Sequence, residues 1–178
     1  ILTSMFFAGM SGTSMSDTAA VGGVMIPQMV KRGYSAPFTA AVTASSSTIG
    51  IIIPPSVPMV LLSAYMGLST GALFAAGLVS GLLIAIGLML MAWWISVKRQ
   101  YPIEAAFSIR QLGSSLVSAF PALLMPVIIL GGILGGIFTP TEASAVAVAY
   151  GIFAGMVLYR SLSLRALYRA LVESAVLT

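Results

Sequence analysis

A chain of 178 residues with 59% hydrophobic and only 7% charged side chains has the composition of a protein dissolved in lipid, since a soluble domain carries about a quarter charged residues. Its net charge of +4 comes from eight basic residues gathered at the ends of apolar segments, which fits membrane flanks and excludes a nucleic-acid binder with a basic face on a soluble fold. Cysteine and histidine are absent and Asp17 is the single aspartate, which removes disulfides, thiolates, imidazole ligands, the usual general base and any paired-aspartate intramembrane protease: no enzyme and no cofactor are expected.

Residues 1–9 are apolar but short, 10–16 (Met-Ser-Gly-Thr-Ser-Met-Ser) form a polar tip, and 17–30 make a second apolar arm that ends at Lys31 and Arg32. That second arm is about 20 Å long at 1.5 Å per residue, short for a hydrocarbon core of about 30 Å. Residues 1–30 therefore read as a re-entrant hairpin with its tip at mid-membrane and Ser16 or Asp17 capping the second arm; a single kinked spanning helix is the alternative. From Pro37 a half-helix runs to about Ser47, breaks through Thr48 to Pro55, and resumes from Val57 to Ala64, because Pro54 and Pro55 donate no backbone hydrogen bond and Gly50 relaxes the torsions. This predicts a discontinuous transmembrane helix over 35–66.

Residues 72–97 are uncharged and long enough for one tilted span, with Trp93 and Trp94 at interfacial depth before Lys98. Gly77/Gly81, Gly131/Gly135, Gly132/Gly136 and Gly151/Gly155 are small-xxx-small pairs, for which close helix packing is the default reading. The stretch 98–118, with Pro102, Glu104 and Arg110, reads as a cytoplasmic interfacial connector. Residues 119–160 read as a pair of spanning helices joined at Thr139-Pro140-Thr141-Glu142, where Thr141 is expected to cap and Glu142 to sit in the first turn. Residues 161–178 form an amphipathic interfacial helix, with Leu164, Leu167, Tyr168 and Leu171 opposite Arg165, Arg169 and Glu173. Basic clustering puts Lys31, Lys98 and Arg160 on the cytoplasmic side and Ser69 and Thr141 on the other. Ile1 opens inside an apolar run and Thr178 follows soon after a helix begins, so the segment reads as the middle of a longer protein.

Two interrupted segments within an apolar chain carry the functional argument. Non-helical backbone at membrane depth is tolerated only where it is buried in protein or lines a polar cavity, and paired interruptions point to a solute or ion site. Hydroxyls and carbonyls freed by a broken helix suit a hard cation such as Na+, while half-helix N-termini favour a carboxylate. The candidate cation ligands, through side chain or backbone, are Ser11, Gly12, Thr13, Ser14, Ser45, Ser46, Ser47 and Gly50; the candidate substrate contacts are Ser16, Asp17, Thr48 and Ser56. Each hydroxyl has an ordinary alternative, a bond to the preceding turn. Asp17 is either a functional ionisable group at membrane depth or an N-cap.

Four motifs in order carry a family resemblance across essentially the whole chain: Gly9-Met10-Ser11-Gly12-Thr13-Ser14 with Ala19-Ala20-Val21-Gly22; Ile26-Pro27-Gln28 through Gly33-Tyr34; Ser47-Thr48-Ile49-Gly50 through Pro58; and Gly131-Gly132-Ile133 with Phe138-Thr139-Pro140-Thr141-Glu142-Ala143. The chain resembles the large membrane subunit of tripartite ATP-independent periplasmic (TRAP) transporters. That resemblance implies an all-α polytopic membrane protein of the bacterial inner membrane, an inverted-repeat, elevator-type secondary transporter driven by a sodium gradient. It also implies a small membrane subunit and a periplasmic substrate-binding protein as partners, and an organic acid such as a C4-dicarboxylate or sialic acid as substrate. The positions that would build the first half of the binding region are Ser11 to Ser16 and Ser45 to Ser56. Where the family often has Gly-Pro, this chain has Gly50-Ile51, and the second hairpin and second broken helix of a full subunit lie outside it. A symporter acting without a binding protein, and a non-transporting structural membrane subunit, are the alternative readings.

Overall fold

The computed structural model describes residues 1–102 and 109–177, so Glu104 and the rest of 103–108 within the connector lie outside the described residues. All regular structure among the described residues is helical: α1 (Leu2–Ser11), α2 (Ser14–Lys31), α3 (Ala36–Ser47), a 3-10 turn (Thr48–Ile51), α4 (Val57–Met66), α5 (Thr70–Lys98), α6 (Ile109–Leu134), α7 (Pro140–Phe153) with a π-helical turn (Ala154–Leu158), and α8 (Leu164–Leu177). Among the described residues three stretches are long and apolar enough to cross a membrane: Thr70–Lys98, Ile109–Leu134 and Pro140–Leu158. The chain divides into two compact units, Ile1–Ser108 and Ile109–Thr178.

In the first unit the hairpin turns within two residues. Gly12 ends α1 at φ 64°, its N–H bonded to the Ala8 carbonyl, and Thr13 in extended conformation caps α2 by accepting from the Ser16 N–H. The expectation that Ser16 or Asp17 caps α2 is corrected: a β-region residue immediately after a left-handed glycine takes the cap, so the helix starts earlier and both Ser16 and Asp17 fall inside its first turn. With 18 residues α2 is about 27 Å long, longer than the arm read from the sequence.

The interruption between α3 and α4 follows from its composition. A 3-10 turn over Thr48–Ile51 tightens the chain, the Pro54-Pro55 pair follows with a cis peptide, and Ser56 restarts the helix by accepting from the Met59 N–H. Helix α5 covers this break with its small side. Gly77, Gly81 and Ala85 are buried, and a Cβ on Gly77 would lie 2.6 Å from the Ile52 carbonyl oxygen, while one on Gly81 would collide with the Ile53 side chain. Bulky residues of the same helix, among them Val79, Leu83 and Leu90, point outward and are exposed. Small residues inside and large apolar residues outside is the arrangement of a helix whose solvent is lipid. The apolar core of the unit is Ala8, Ile49, Ile53 and Ala85, with Ile1, Met5 and Leu88 packed on it.

In the second unit α6 begins at Ile109 and carries Pro121 and Pro126, each of which removes a backbone donor from the helical ladder. Two tyrosines from the returning segment repair the opening. The Tyr159 hydroxyl accepts from the Ala122 N–H at 3.3 Å and donates to the Ser118 carbonyl at 3.0 Å, so it stands between two groups that an unbroken helix would join directly, and the Tyr150 hydroxyl donates to the Pro121 carbonyl at 2.7 Å. The π-helical turn at Ala154–Leu158 immediately precedes Tyr159. Helix α7 starts with a full capping box between Thr139 and Glu142, with Pro140 at its first position. Thr139, and not Thr141, is the cap, because Thr-Pro-Thr-Glu has the hydroxyl and the carboxylate at the three-residue spacing that lets each bond the other's backbone.

Tyr159→Phe is expected to destabilise the intact protein by roughly 0.5 to 1.5 kcal/mol, because the Ser118 and Ala122 backbone groups lose a hydrogen-bond partner. Tyr65, 87% exposed, provides the control. Equal melting temperatures for Tyr159→Phe and Tyr65→Phe in detergent would show that the bridge contributes nothing.

Candidate functional site

The hairpin tip and the helix break meet, and they meet through main chain. The Val57 N–H donates to the Gly12 carbonyl at 3.3 Å. A Cβ on Gly12 would lie 2.7 Å from the Pro55 carbonyl oxygen, and a Cβ on Gly50 would lie 3.1 Å from the Thr13 carbonyl oxygen. Both positions are buried; at Gly12 only glycine permits so close an approach of two backbones, and at Gly50 a Cβ would require the Thr13 backbone to give way by a few tenths of an ångström. The C-terminal end of α1 and the N-terminal end of α2 are thereby brought against the C-terminal end of α3 and the N-terminal end of α4, so partial negative and partial positive backbone charge converge in one region.

The hydroxyls of this region divide into engaged and free. Ser11 donates to the Thr13 carbonyl at 3.4 Å, Thr48 to the Ser45 carbonyl at 2.7 Å, and Ser56 to the Ile51 carbonyl at 2.7 Å while capping α4. Ser46 is buried, donates to the Thr43 carbonyl at 3.1 Å, and lies 3.0 Å from Ser4 Oγ. Thr13 is occupied as the cap of α2. Ser14 is half-buried, and Ser16, Ser45 and Thr48 are exposed at the surface of this unit. Among the described residues, three buried side-chain atoms have no hydrogen-bond partner: Asp17 Oδ1, Asp17 Oδ2 and Ser47 Oγ.

The three free atoms belong to one level of the fold. Gly22 of α2 packs on the Thr43 methyl group of α3, and one end further on Gly50 packs on Thr13. Between these two contacts the helices run antiparallel, which brings Asp17 to the height of Ser46 and Ser47. Asp17 is 0% exposed and Ser47 is 1% exposed. An unpartnered buried carboxylate costs several kcal/mol, only partly offset by its place in the first turn of α2, where the helix dipole favours negative charge. The region thus presents carboxylate and hydroxyl oxygens together with backbone carbonyls.

Ser4 is a member of this region that the sequence reading passed over. Ser4, Ala8 and Gly12 form a buried stripe at four-residue spacing along α1, and that spacing of small residues is the signal that marks the face of α1 turned toward α3.

Comparison with known proteins bears on the whole length. The family described as the tripartite ATP-independent periplasmic transporter, DctM component, matches residues 1–178. The sialic acid TRAP transporter large permease protein of Vibrio cholerae is 43% identical over 174 residues, covering 98% of this chain and 41% of the relative. The C4-dicarboxylate TRAP transporter large permease protein of Pseudomonas aeruginosa is 42% identical over 178 residues, covering all of this chain and 42% of the relative. The isethionate TRAP transporter permease protein of Oleidesulfovibrio alaskensis is 43% identical over 174 residues, or 97% of this chain and 27% of the relative. The chain therefore spans less than half the length of these relatives, which are transport proteins and not enzymes. On the strength of the full-length family match and relatives near 40% identity, the chain belongs to the DctM component family of tripartite ATP-independent periplasmic transporters.

Proposed function

We propose that this chain supplies the first half of the solute and ion site of a sodium-coupled permease that imports an organic acid across the bacterial inner membrane, taking it from a periplasmic binding protein and working with a small membrane subunit. The observation that carries the proposal is the seating of the hairpin tip on the helix break, with the unpartnered oxygens of Asp17 and Ser47 beside it. Relatives with printed names for sialic acid, C4-dicarboxylate and isethionate transport support an organic anion as the substrate class.

In this reading residues 1–30 are re-entrant, the tip reaches mid-membrane, and Lys31 and Lys98 lie on the cytoplasmic side. Sodium is held between the Ser11 to Ser14 turn and the Ser45 to Gly50 segment by hydroxyl and carbonyl oxygens. Asp17 belongs to the cation's surroundings, because a bare carboxylate repels an anionic substrate unless positive charge lies between them. The exposed half-helix ends, Ser16 and Thr48 face the substrate, while Ser56, buried and bonded to the Ile51 carbonyl, shapes the break behind them; the second repeat of a full-length subunit encloses the substrate as the protein moves by an elevator-type mechanism.

The test is the sodium dependence of uptake by the complete transporter in liposomes. Ser47→Ala and Ser14→Ala are each expected to raise the sodium concentration for half-maximal uptake about tenfold to hundredfold, the equivalent of roughly 1 to 3 kcal/mol for one lost ligand. Parental sodium dependence in both variants would remove these side chains from the site.

A further inference from the structure

Four consecutive hydroxyl residues, Ser45 to Thr48, close α3 and open the 3-10 turn. Side chains of this kind compete for the carbonyls of the preceding turn, and two of them have found one: Ser46 donates to the Thr43 carbonyl and Thr48 to the Ser45 carbonyl. Ser47, between them, has not, although its Oγ is buried. The local sequence does not explain why the middle hydroxyl is the free one.

The difference is made from α1. Ser4 Oγ and Ser46 Oγ lie 3.0 Å apart across 42 residues of sequence, and both side chains are buried, at 1% and 2% exposure. Ser46 has one hydroxyl proton and gives it to the Thr43 carbonyl at 3.1 Å, so Ser4 is the donor of the pair. The neighbouring core, Ala8, Ile49, Ile53 and Ala85, is apolar and offers neither hydroxyl another side-chain partner. A carbonyl oxygen has two lone pairs. That of Thr43 takes the Ser47 N–H through the helical ladder and the Ser46 hydroxyl through its second lone pair, and is thereby filled. It is one of two carbonyls, with that of Ala44, to which a Ser47 hydroxyl can bond back. Without Ser4, Ser46 is released to change rotamer, the Thr43 carbonyl reopens, and Ser47 gains a partner inside its own helix.

We infer that Ser4 is a positioning residue: by donating to Ser46 it keeps the Ser46 proton on the Thr43 carbonyl, and so keeps the Ser47 hydroxyl free for the cation. This rests on the reading of Ser47 as a sodium ligand, and it adds to that site a residue of the first hairpin arm that acts through Ser46 rather than on the ion.

The test is sodium binding by the complete transporter in detergent, read as the sodium concentration that gives half of the rise in melting temperature, with uptake in liposomes measured beside it. Ser4→Ala should raise that concentration about threefold to tenfold, the worth of one competing hydrogen bond. Ser46→Ala reopens the same carbonyl and should raise it by a similar factor, and Ser4→Ala/Ser46→Ala should go no further than either alone. Ser63→Ala is the structural control. The buried Ser63 hydroxyl makes a like pair with Thr70 at 2.8 Å and bonds back to the Val60 carbonyl at 2.7 Å, toward the far end of α4, so its loss should lower the sodium-free melting temperature and leave the sodium midpoint at the parental value. Parental sodium binding in Ser4→Ala, when Ser47→Ala is impaired, overturns the inference and leaves the site reading standing. Parental binding in Ser47→Ala overturns both. An equal shift in Ser63→Ala would reduce Ser4 to general packing, and an additive shift in the double variant would mean that Ser4 acts by a route other than Ser46; either overturns the inference.

Discussion

Asp17→Asn is expected to abolish sodium-driven uptake while making the sodium-free protein more resistant to heat. The carboxylate is fully buried with neither oxygen hydrogen-bonded. Removing a buried charge that accepts no hydrogen bond relieves desolvation, and substitutions that eliminate such charges are worth roughly 1 to 4 kcal/mol of stability. Loading is the opposite case. A cation left without its one anionic partner loses roughly 3 to 5 kcal/mol, which lowers occupancy by a factor on the order of a hundred or more. Two melting curves per protein, with and without sodium, check both halves. Sodium should raise the parental melting temperature, because a ligand that binds only the folded state stabilises it, and should leave Asp17→Asn unmoved. Parental uptake by Asp17→Asn would show that the carboxylate is no part of the site.

The second large effect is expected from one methyl group. Gly12 and Gly67 share a left-handed conformation, at φ 64° and φ 65°, so alanine pays a similar backbone strain of about 1 to 2 kcal/mol at either. They differ in what surrounds them. A Cβ on Gly67 enters open space, whereas a Cβ on Gly12 lies 2.7 Å from the Pro55 carbonyl oxygen, and backbone yields only if the tip lifts off the break. Gly12→Ala should therefore cost about 1 to 3 kcal/mol beyond Gly67→Ala and should lose uptake, while Gly67→Ala keeps it. Gly23, in a helix interior with nothing within 4 Å, completes the set: Gly23→Ala should be neutral or stabilising by up to about 1 kcal/mol. Identical melting temperatures for the Gly12 and Gly67 variants would mean that the tip does not press on the break.

The interruptions were legible in the sequence because they are local chemistry. Gly12, Gly50, Pro54 and Pro55 change backbone torsions or delete donors wherever they occur, and their neighbours Ser45 to Thr48 advertise the polarity of the gap. Helix starts were legible to within a few residues, and the errors at Thr13 and Thr139 share a cause: the capping hydroxyl lies before the first helical residue, while the eye settles on the polar residue already inside the turn. What the sequence withheld is pairing. Nothing local states that Ser4 reaches Ser46, that Tyr159 completes a ladder 37 residues earlier, or which of twelve candidate positions keep an unsatisfied oxygen. Ser11, Ser46, Thr48 and Ser56 donate to neighbouring carbonyls, and the distinction that singles out Asp17 and Ser47 arises only when α2 and α3 are laid side by side.

The joint between tip and break is made of Gly12, Thr13, Gly50, Pro55 and Val57 through carbonyl oxygens and one amide, and main-chain atoms are identical whatever side chain they carry. Side chains facing the gap can therefore drift under selection while the joint endures, so long as the two glycines stay. A joint made this way tolerates replacement of the side chains around it without a change of fold.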